Sequence, residues 1–195
     1  MLSPLEVRER YECVRDEVGP GVTVVAATKY VTVAEMAVLV EAGVEVVGEN
    51  RAQDLEAKHA VYGDAFRWHF IGRLQSNKVK VVNARCELVH SLDTLSAAAR
   101  LAIPALVQVN LAGESSKGGV APEEVGGYLR YDVRGLSTMP PAAGDPEDSR
   151  RWFRRLRELG EQFGFRELSM GTTQDYRVAA DEGATMVRVG SLLFR

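Results

Sequence analysis

The chain has 195 residues, of which 46% are hydrophobic and 26% charged, with a formal net charge of −3. This is one globular domain's worth of sequence, and its charge balance excludes a broad basic nucleic-acid surface or an acidic disordered tail. No run reaches the ~20 apolar residues of a membrane span, and the charged start MLSPLEVRERYECVRDEV lacks the apolar segment of a signal peptide.

In chain order, a helix is expected over Pro4–Val18, before the first of eight candidate strands: Thr23–Ala27, Val44–Val47, Arg67–Ile71, Glu87–His90, Ala105–Asn110, Val133–Leu136, Glu167–Met170 and Thr185–Val189. Several are nearly continuous apolar runs, as strands covered on both faces are. Helical stretches separate them. Thr32 and Glu35 form a capping-box pattern ahead of Met36, Ala37 and Val40, with Gly43 as the stop. Asp93 is placed to cap a short helix over Thr94–Arg100, closed by Ile103-Pro104. Pro122 and Pro146 suit a first helical turn. The longest helix is expected after Pro146, with Trp152, Leu156, Leu159 and Phe163 on its inner face. Pro140–Glu147 reads as a surface connection.

Eight strands alternating with helices predict an α/β fold with a parallel sheet: a single (β/α)8 TIM barrel spanning 1–195, with the extra helix at the N-terminus. A Rossmann-like open sheet is the alternative, but no GxGxxG follows the first strand. Cys13 and Cys86 form no CxxC pair and show no metal-ligand spacing with His59, His69 and His90, so two reduced thiols of a cytoplasmic protein are expected.

In such a barrel, function collects at the C-terminal strand ends. Those ends carry Thr28-Lys29, Gly48-Glu49-Asn50, Gly72, Ser91, Asn110, Ser137-Thr138-Met139, Ser169–Thr172 and Arg188–Ser191. The chain has only five lysines. Lys58, Lys78 and Lys80 fall in helical stretches and read as solvated. Lys117, in the loop Ser115–Gly119, is a second candidate ligand contact. Lys29 directly follows a strand, where apolar walls would disfavour its ammonium form and free a nucleophilic amine; the competing reading is a solvent lysine opening a loop. Ser169–Thr172, leading into a helix near Thr173, and Gly190-Ser191 after the last strand are candidate phosphate sites. Arg188 lies inside an apolar strand and needs a partner, either an acidic side chain or a ligand. A lysine amine, an arginine and a phosphate cradle together suit a small phosphorylated aldehyde with an aromatic nitrogen.

The runs VVAATK (24–29), GEN (48–50), WHFIGRLQSNK (68–78), VHSLD (89–93), VQVNLAGESSKGGV (107–120), RGLSTMP (134–140), LSMG (168–171) and TMVRVGSLLF (185–194) carry a resemblance to the YggS/PROSC family of pyridoxal phosphate homeostasis proteins. More distantly, the chain is similar to the alanine racemase N-terminal barrel, PLP fold type III. The resemblance implies a monomeric or weakly associating barrel holding pyridoxal 5′-phosphate (PLP) as a Schiff base on Lys29. It implies Arg188 toward the pyridine nitrogen, and phosphate contacts at Ser169 with the backbone of Met170 and Gly171, and at Gly190 and Ser191. Asn50 would line the pocket; His69 and Met139 are either lining or core residues. The family often reads SMGMSxD, where this chain has Thr172 and Thr173, and has threonine where this chain has Ser191.

An arginine at the pyridine nitrogen disfavours ring protonation and weakens the electron sink that carbanion chemistry needs. Related racemases take a second base from an additional domain, and this sequence ends at Arg195. The expectation is therefore a non-catalytic carrier in intracellular PLP homeostasis, supplying apo PLP-dependent enzymes. The alternatives are a small amino-acid racemase, with Tyr30 as the available phenol, and a barrel binding another phosphorylated metabolite without covalent chemistry.

Overall fold

The computed structural model describes residues 3–114, 117–142 and 144–195. Ser115 and Ser116 of the expected Lys117 loop, and Ala143 of the Pro140–Glu147 connection, lie outside the described residues.

Eight parallel strands close into one barrel in chain order: β1 (Thr23–Ala27), β2 (Val46–Glu49), β3 (Arg67–Phe70), β4 (Leu88–Leu92), β5 (Ala105–Val109), β6 (Val133–Thr138), β7 (Glu167–Thr172) and β8 (Met186–Val189). Closure is made by β1, which pairs Val25 with Val46 of β2 and with Arg188 of β8, and this excludes an open Rossmann-like sheet. Each expected strand is present, with ends shifted by up to two residues.

Around the barrel lie α1 (Pro4–Val18), α2 (Met36–Ala42), α3 (Ala52–Tyr62), α4 (Val79–Asn83), α5 (Leu95–Ala98), α6 (Arg150–Phe163), α7 (Tyr176–Asp181) and α8 (Ser191–Phe194). The link from β5 to β6 is a 3-10 turn over Pro122–Tyr128, and Pro146 opens a second over Pro146–Ser149. These short connections let 195 residues close eight strands. The Thr32–Glu35 box forms, with the Thr32 N–H donating to Glu35 at 2.8 Å and the Glu35 N–H to Thr32 Oγ1 at 3.3 Å; the regular turns of α2 start only at Met36.

Three local expectations are corrected. The cap of α5 is Thr94, whose hydroxyl accepts the Ala97 N–H at 3.4 Å, while Asp93 instead accepts the Gly119 N–H at 3.4 Å. The longest helix is α1, with 15 residues against 14 in α6. The inner face of α6 centres on Phe153, Leu156 and Gly160, and the expected Trp152, Leu159 and Phe163 pack half-buried against the core beside it. Gly160 backs onto Leu168, where a Cβ would lie 3.1 Å from its side chain, and this close approach draws the helix round.

Strand alternation divides the core in two. Val24, Ala26, Val47, Phe70, Leu136 and Met170 face outward and pack with helix residues such as Leu39, Leu55 and Leu156. Each of these side chains other than Ala26 contributes roughly 2 kcal/mol by leaving water. Inside the barrel, Leu88, Leu106 and Met186 close the end where the strands begin. Beyond them the interior carries His69, His90, Ser169 and Arg188 on one side and Val25, Val46 and Ile71 on the other.

Candidate ligand site at the barrel mouth

Around the rim, the ends of β2, β1, β8 and β7 follow one another, bringing Asn50, Lys29, Gly190-Ser191 and Thr173 side by side. Lys29 continues the inward alternation of Val25 and Ala27 past the end of β1. That face is shared with Gly48 and Ile71: a Cβ on Gly48 would lie 3.0 Å from both the Val25 and Ile71 side chains. The apolar enclosure expected around Lys29 is not formed. The Thr28 N–H bonds the Gly48 carbonyl and the Val31 N–H bonds the Thr28 carbonyl, turning the chain outward. Lys29 is exposed, with Nζ 5.0 Å from the ring centre of Tyr30, itself 73% exposed.

Asn50 Oδ1 is buried without a protein partner. Its backbone is fixed by Gly72, where a Cβ would fall 2.0 Å from the Asn50 carbonyl oxygen. An unpaired buried acceptor at the barrel rim is costly unless a ligand or water completes it.

Arg188 projects into the barrel and finds neither a carboxylate nor open solvent. Nη1 donates to the Ser169 carbonyl at 2.9 Å and to the Ser169 hydroxyl; Nη2 donates to the Thr138 carbonyl at 2.8 Å and to Met139 Sδ at 3.0 Å. Burial pulls its pKa below the usual guanidinium range, and the charge of Asp175 opposes this. Ser169 Oγ lies 2.7 Å from His90 Nδ1, and His90 Nε2 lies 2.9 Å from His69 Nδ1. The guanidinium can only donate, so the arrangement that satisfies every atom runs one way. Ser169 donates to His90, and His90 donates to His69. Both imidazoles are neutral. Burial lowers His69 to about 4, with the Arg67 charge adding to it; burial, then His69 and Arg188, hold His90 well below its ordinary value.

The side chains of Ser169 and Met170 diverge. Ser169 is completely buried and its hydroxyl is committed to Arg188 and His90, because its strand position points it into the barrel interior. Met170 points the opposite way, into the layer under the helices. Gly171, at φ +88 and a Cβ's 2.5 Å from Ala179, turns the chain toward α7.

The anion-binding features sit slightly further on. Helix α7 starts at Tyr176, and Asp175 ahead of it takes the Thr172 N–H at 2.7 Å and the Thr172 hydroxyl at 3.1 Å. Thr173 reaches across to β8, its hydroxyl accepting the Gly190 N–H at 3.2 Å. Among the described residues, the N–H groups of Thr173, Gln174 and Ser191 have no protein acceptor. Gly190 lies close against β1, where a Cβ would be 3.2 Å from the Ala27 carbonyl oxygen. Two loops thus present free amides and the Ser191 hydroxyl beside Lys29.

The remaining lysines divide. Lys80 is exposed and Lys78 half-buried. Lys117 pairs with Glu114 at 2.9 Å and donates to the Pro140 carbonyl, so its amine is occupied. Lys58 was expected in solvent and is buried, in an ion pair with Glu49. Helical spacing alone does not reveal that α3 turns this side chain onto β2. Among the described residues, no three His, Cys, Asp or Glu side chains are grouped to hold a metal.

A closed parallel barrel with a lysine after its first strand and an arginine in its last defines an alanine racemase-like barrel, and residues 4–195 match the family model described as alanine racemase, N-terminal domain. The pyridoxal phosphate homeostasis protein of Aquifex aeolicus is 42% identical, with 78% of this chain and 77% of that protein covered. The pyridoxal phosphate homeostasis protein of Pseudomonas aeruginosa is 38% identical, with 78% and 75% covered. PipY of Synechococcus elongatus, solved with PLP bound, superposes with a TM-score of 0.89 at 29% identity, covering 97% of this chain and all of that one. Alanine racemase from Corynebacterium glutamicum, at 14% identity and a TM-score of 0.76, shares the fold, with 98% of this chain and 60% of that one covered. The chain belongs to the alanine racemase N-terminal domain family and, within it, to the pyridoxal phosphate homeostasis proteins.

Proposed function

We propose that the barrel mouth binds PLP covalently, as a Schiff base on Lys29, and that the protein serves as a carrier in PLP homeostasis. The observation that carries this reading is the adjacency of Lys29 to the free amides of the β7 and β8 loops on one side and to the unpartnered Asn50 Oδ1 on the other. These residues fit the group. The N–H groups of Thr173, Gln174 and Ser191, with the Ser191 hydroxyl, would hold the phosphate. Asn50 would meet a ring substituent. Arg188 would stand toward the pyridine nitrogen, since the thioether of Met139 is a weak acceptor that a ring nitrogen displaces. Ser169, Met170 and Gly171 would act by shaping the turn that leads into this cradle.

When bound, PLP supplies a carbonyl electrophile and an electron sink. The Lys29 amine would hold the group covalently through the aldehyde carbon, giving up both its hydrogens to the carbonyl oxygen, which would depart as water. Arg188, donating toward the ring nitrogen, would oppose its protonation and so limit that electron sink. A limited electron sink supports a carrier that hands PLP to apo-enzymes; action in the cytoplasm as a monomer belongs to the same proposal. The second reading, a small racemase, is favoured by one contact, the Tyr30 ring beside Lys29 Nζ.

The test is a PLP titration of wild type and Lys29→Ala, with a racemisation assay on the loaded protein. A visible absorption band in wild type that is absent from Lys29→Ala, with no sustained turnover of D- or L-alanine, supports the carrier. Sustained turnover establishes the racemase. Equal PLP affinity in both proteins overturns the covalent site.

A further inference from the structure

The most buried ion pair among the described residues lies directly behind the rim of β1. Lys58 is 4% exposed and Glu49 not at all. Stability does not account for the pair, because replacing a buried ion pair with well-packed apolar side chains is commonly neutral or stabilising. Glu49 Oε2, moreover, is buried with no partner among the described residues.

The contacts of the pair converge on Thr28. Lys58 Nζ donates to the Thr28 carbonyl at 2.8 Å, and Glu49 Oε1 accepts both Lys58 and the Thr28 hydroxyl. The Thr28 N–H is tied to the Gly48 carbonyl at 3.1 Å. Donor, acceptor and side chain of one residue are therefore all fixed, and the next residue is Lys29. Alternation puts Thr28 under α3 and Lys29 toward the mouth. Fixing the first sets the backbone direction from which the second projects.

We infer that Lys58 and Glu49 are positioning residues for the Lys29 amine, holding Thr28 so that the amine meets the aldehyde carbon in line for addition; this rests on the function proposed above. Attack at a carbonyl depends on approach geometry, and displacements near 1 Å lower rates by one to two orders of magnitude.

The experiment compares wild type with Lys58→Met/Glu49→Leu, which removes both charges together and leaves neither stranded. Three quantities are measured: the rate of the visible band on mixing with PLP, the affinity for pyridoxine 5′-phosphate, which has no aldehyde, and the melting temperature. The expected result is capture slowed by about tenfold, with the affinity for the aldehyde-free analogue and the melting temperature near wild type. Thr28→Val, which keeps the ion pair and loses one hydroxyl, is expected to slow capture in the same direction, and it decides the matter where the double variant fails to fold. Capture at the wild-type rate in folded variants overturns the positioning role alone. So does a parallel loss of analogue affinity, which would mean that the whole mouth had been disturbed. Absence of any band in wild type overturns the proposed function, and this inference with it.

Discussion

His90 Nε2 lies 2.9 Å from His69 Nδ1 in the barrel interior, and both rings stay neutral because burial opposes their protonation. The pair completes a line that begins at the Arg188 guanidinium and passes through Ser169, so the arginine facing the mouth is anchored by groups that have no charge of their own.

This has a consequence for stability in acid. In the unfolded chain the two imidazoles take up protons near pH 6.5, whereas folded His69 does so only near pH 4 and His90 at a value also well below 6.5. Between those values the unfolded state binds more protons, so stability is complete above pH 6.5 and declines as the pH falls toward 4. The His69 shift alone corresponds to roughly 3 kcal/mol. Urea denaturation at intervals from pH 7 to 4 checks this. In His69→Gln that part of the decline should be absent.

The backbone turn after Ser169 depends on Gly171. Alanine there would combine a φ of +88 with a Cβ 2.5 Å from that of Ala179 and 3.0 Å from Tyr176 Cα. Gly171→Ala is expected to lose about 2–3 kcal/mol, measured by urea unfolding, and to weaken PLP binding because α7 and the Thr173 loop move together.

Removing the guanidinium strands its acceptors. Arg188→Met leaves the Thr138 and Ser169 carbonyls without their donors in a dry interior. A loss of about 3 kcal/mol follows from unsatisfied buried groups. A stability within 0.5 kcal/mol of wild type, on the scale of a neutral surface change, would show that these bonds add nothing net.

The thiols should behave differently. Cys86 is buried and its thiol is pushed up to about 12, chiefly by burial and then by the charge of Glu49. Cys13 is exposed, its thiol raised by Glu17. A thiol-reactive dye should label one cysteine in the folded protein, more slowly than a free thiol, and the second only on unfolding.

Much of the fold was legible because strands buried on both faces are written as short apolar runs, as in Val24–Ala27 and Ala105–Val109. Lys29 and Arg188 stood out because each is a charge at the end of, or inside, such a run. What escaped depended on contacts between elements. Lys58 reads as a surface helical lysine until α3 is laid against β2. The roles of Ser169 and Met170 separate only once strand alternation is tied to the barrel's inside and outside. Thr173 is tied to Gly190 across two loops, a pairing no local pattern encodes.

The measurement closest to the central claim is borohydride reduction of the PLP-loaded protein followed by mapping of the modified peptide. The account predicts a single phosphopyridoxyl adduct on Lys29. An adduct confined to Lys58, Lys78, Lys80 or Lys117, or no adduct with PLP in excess, would contradict it.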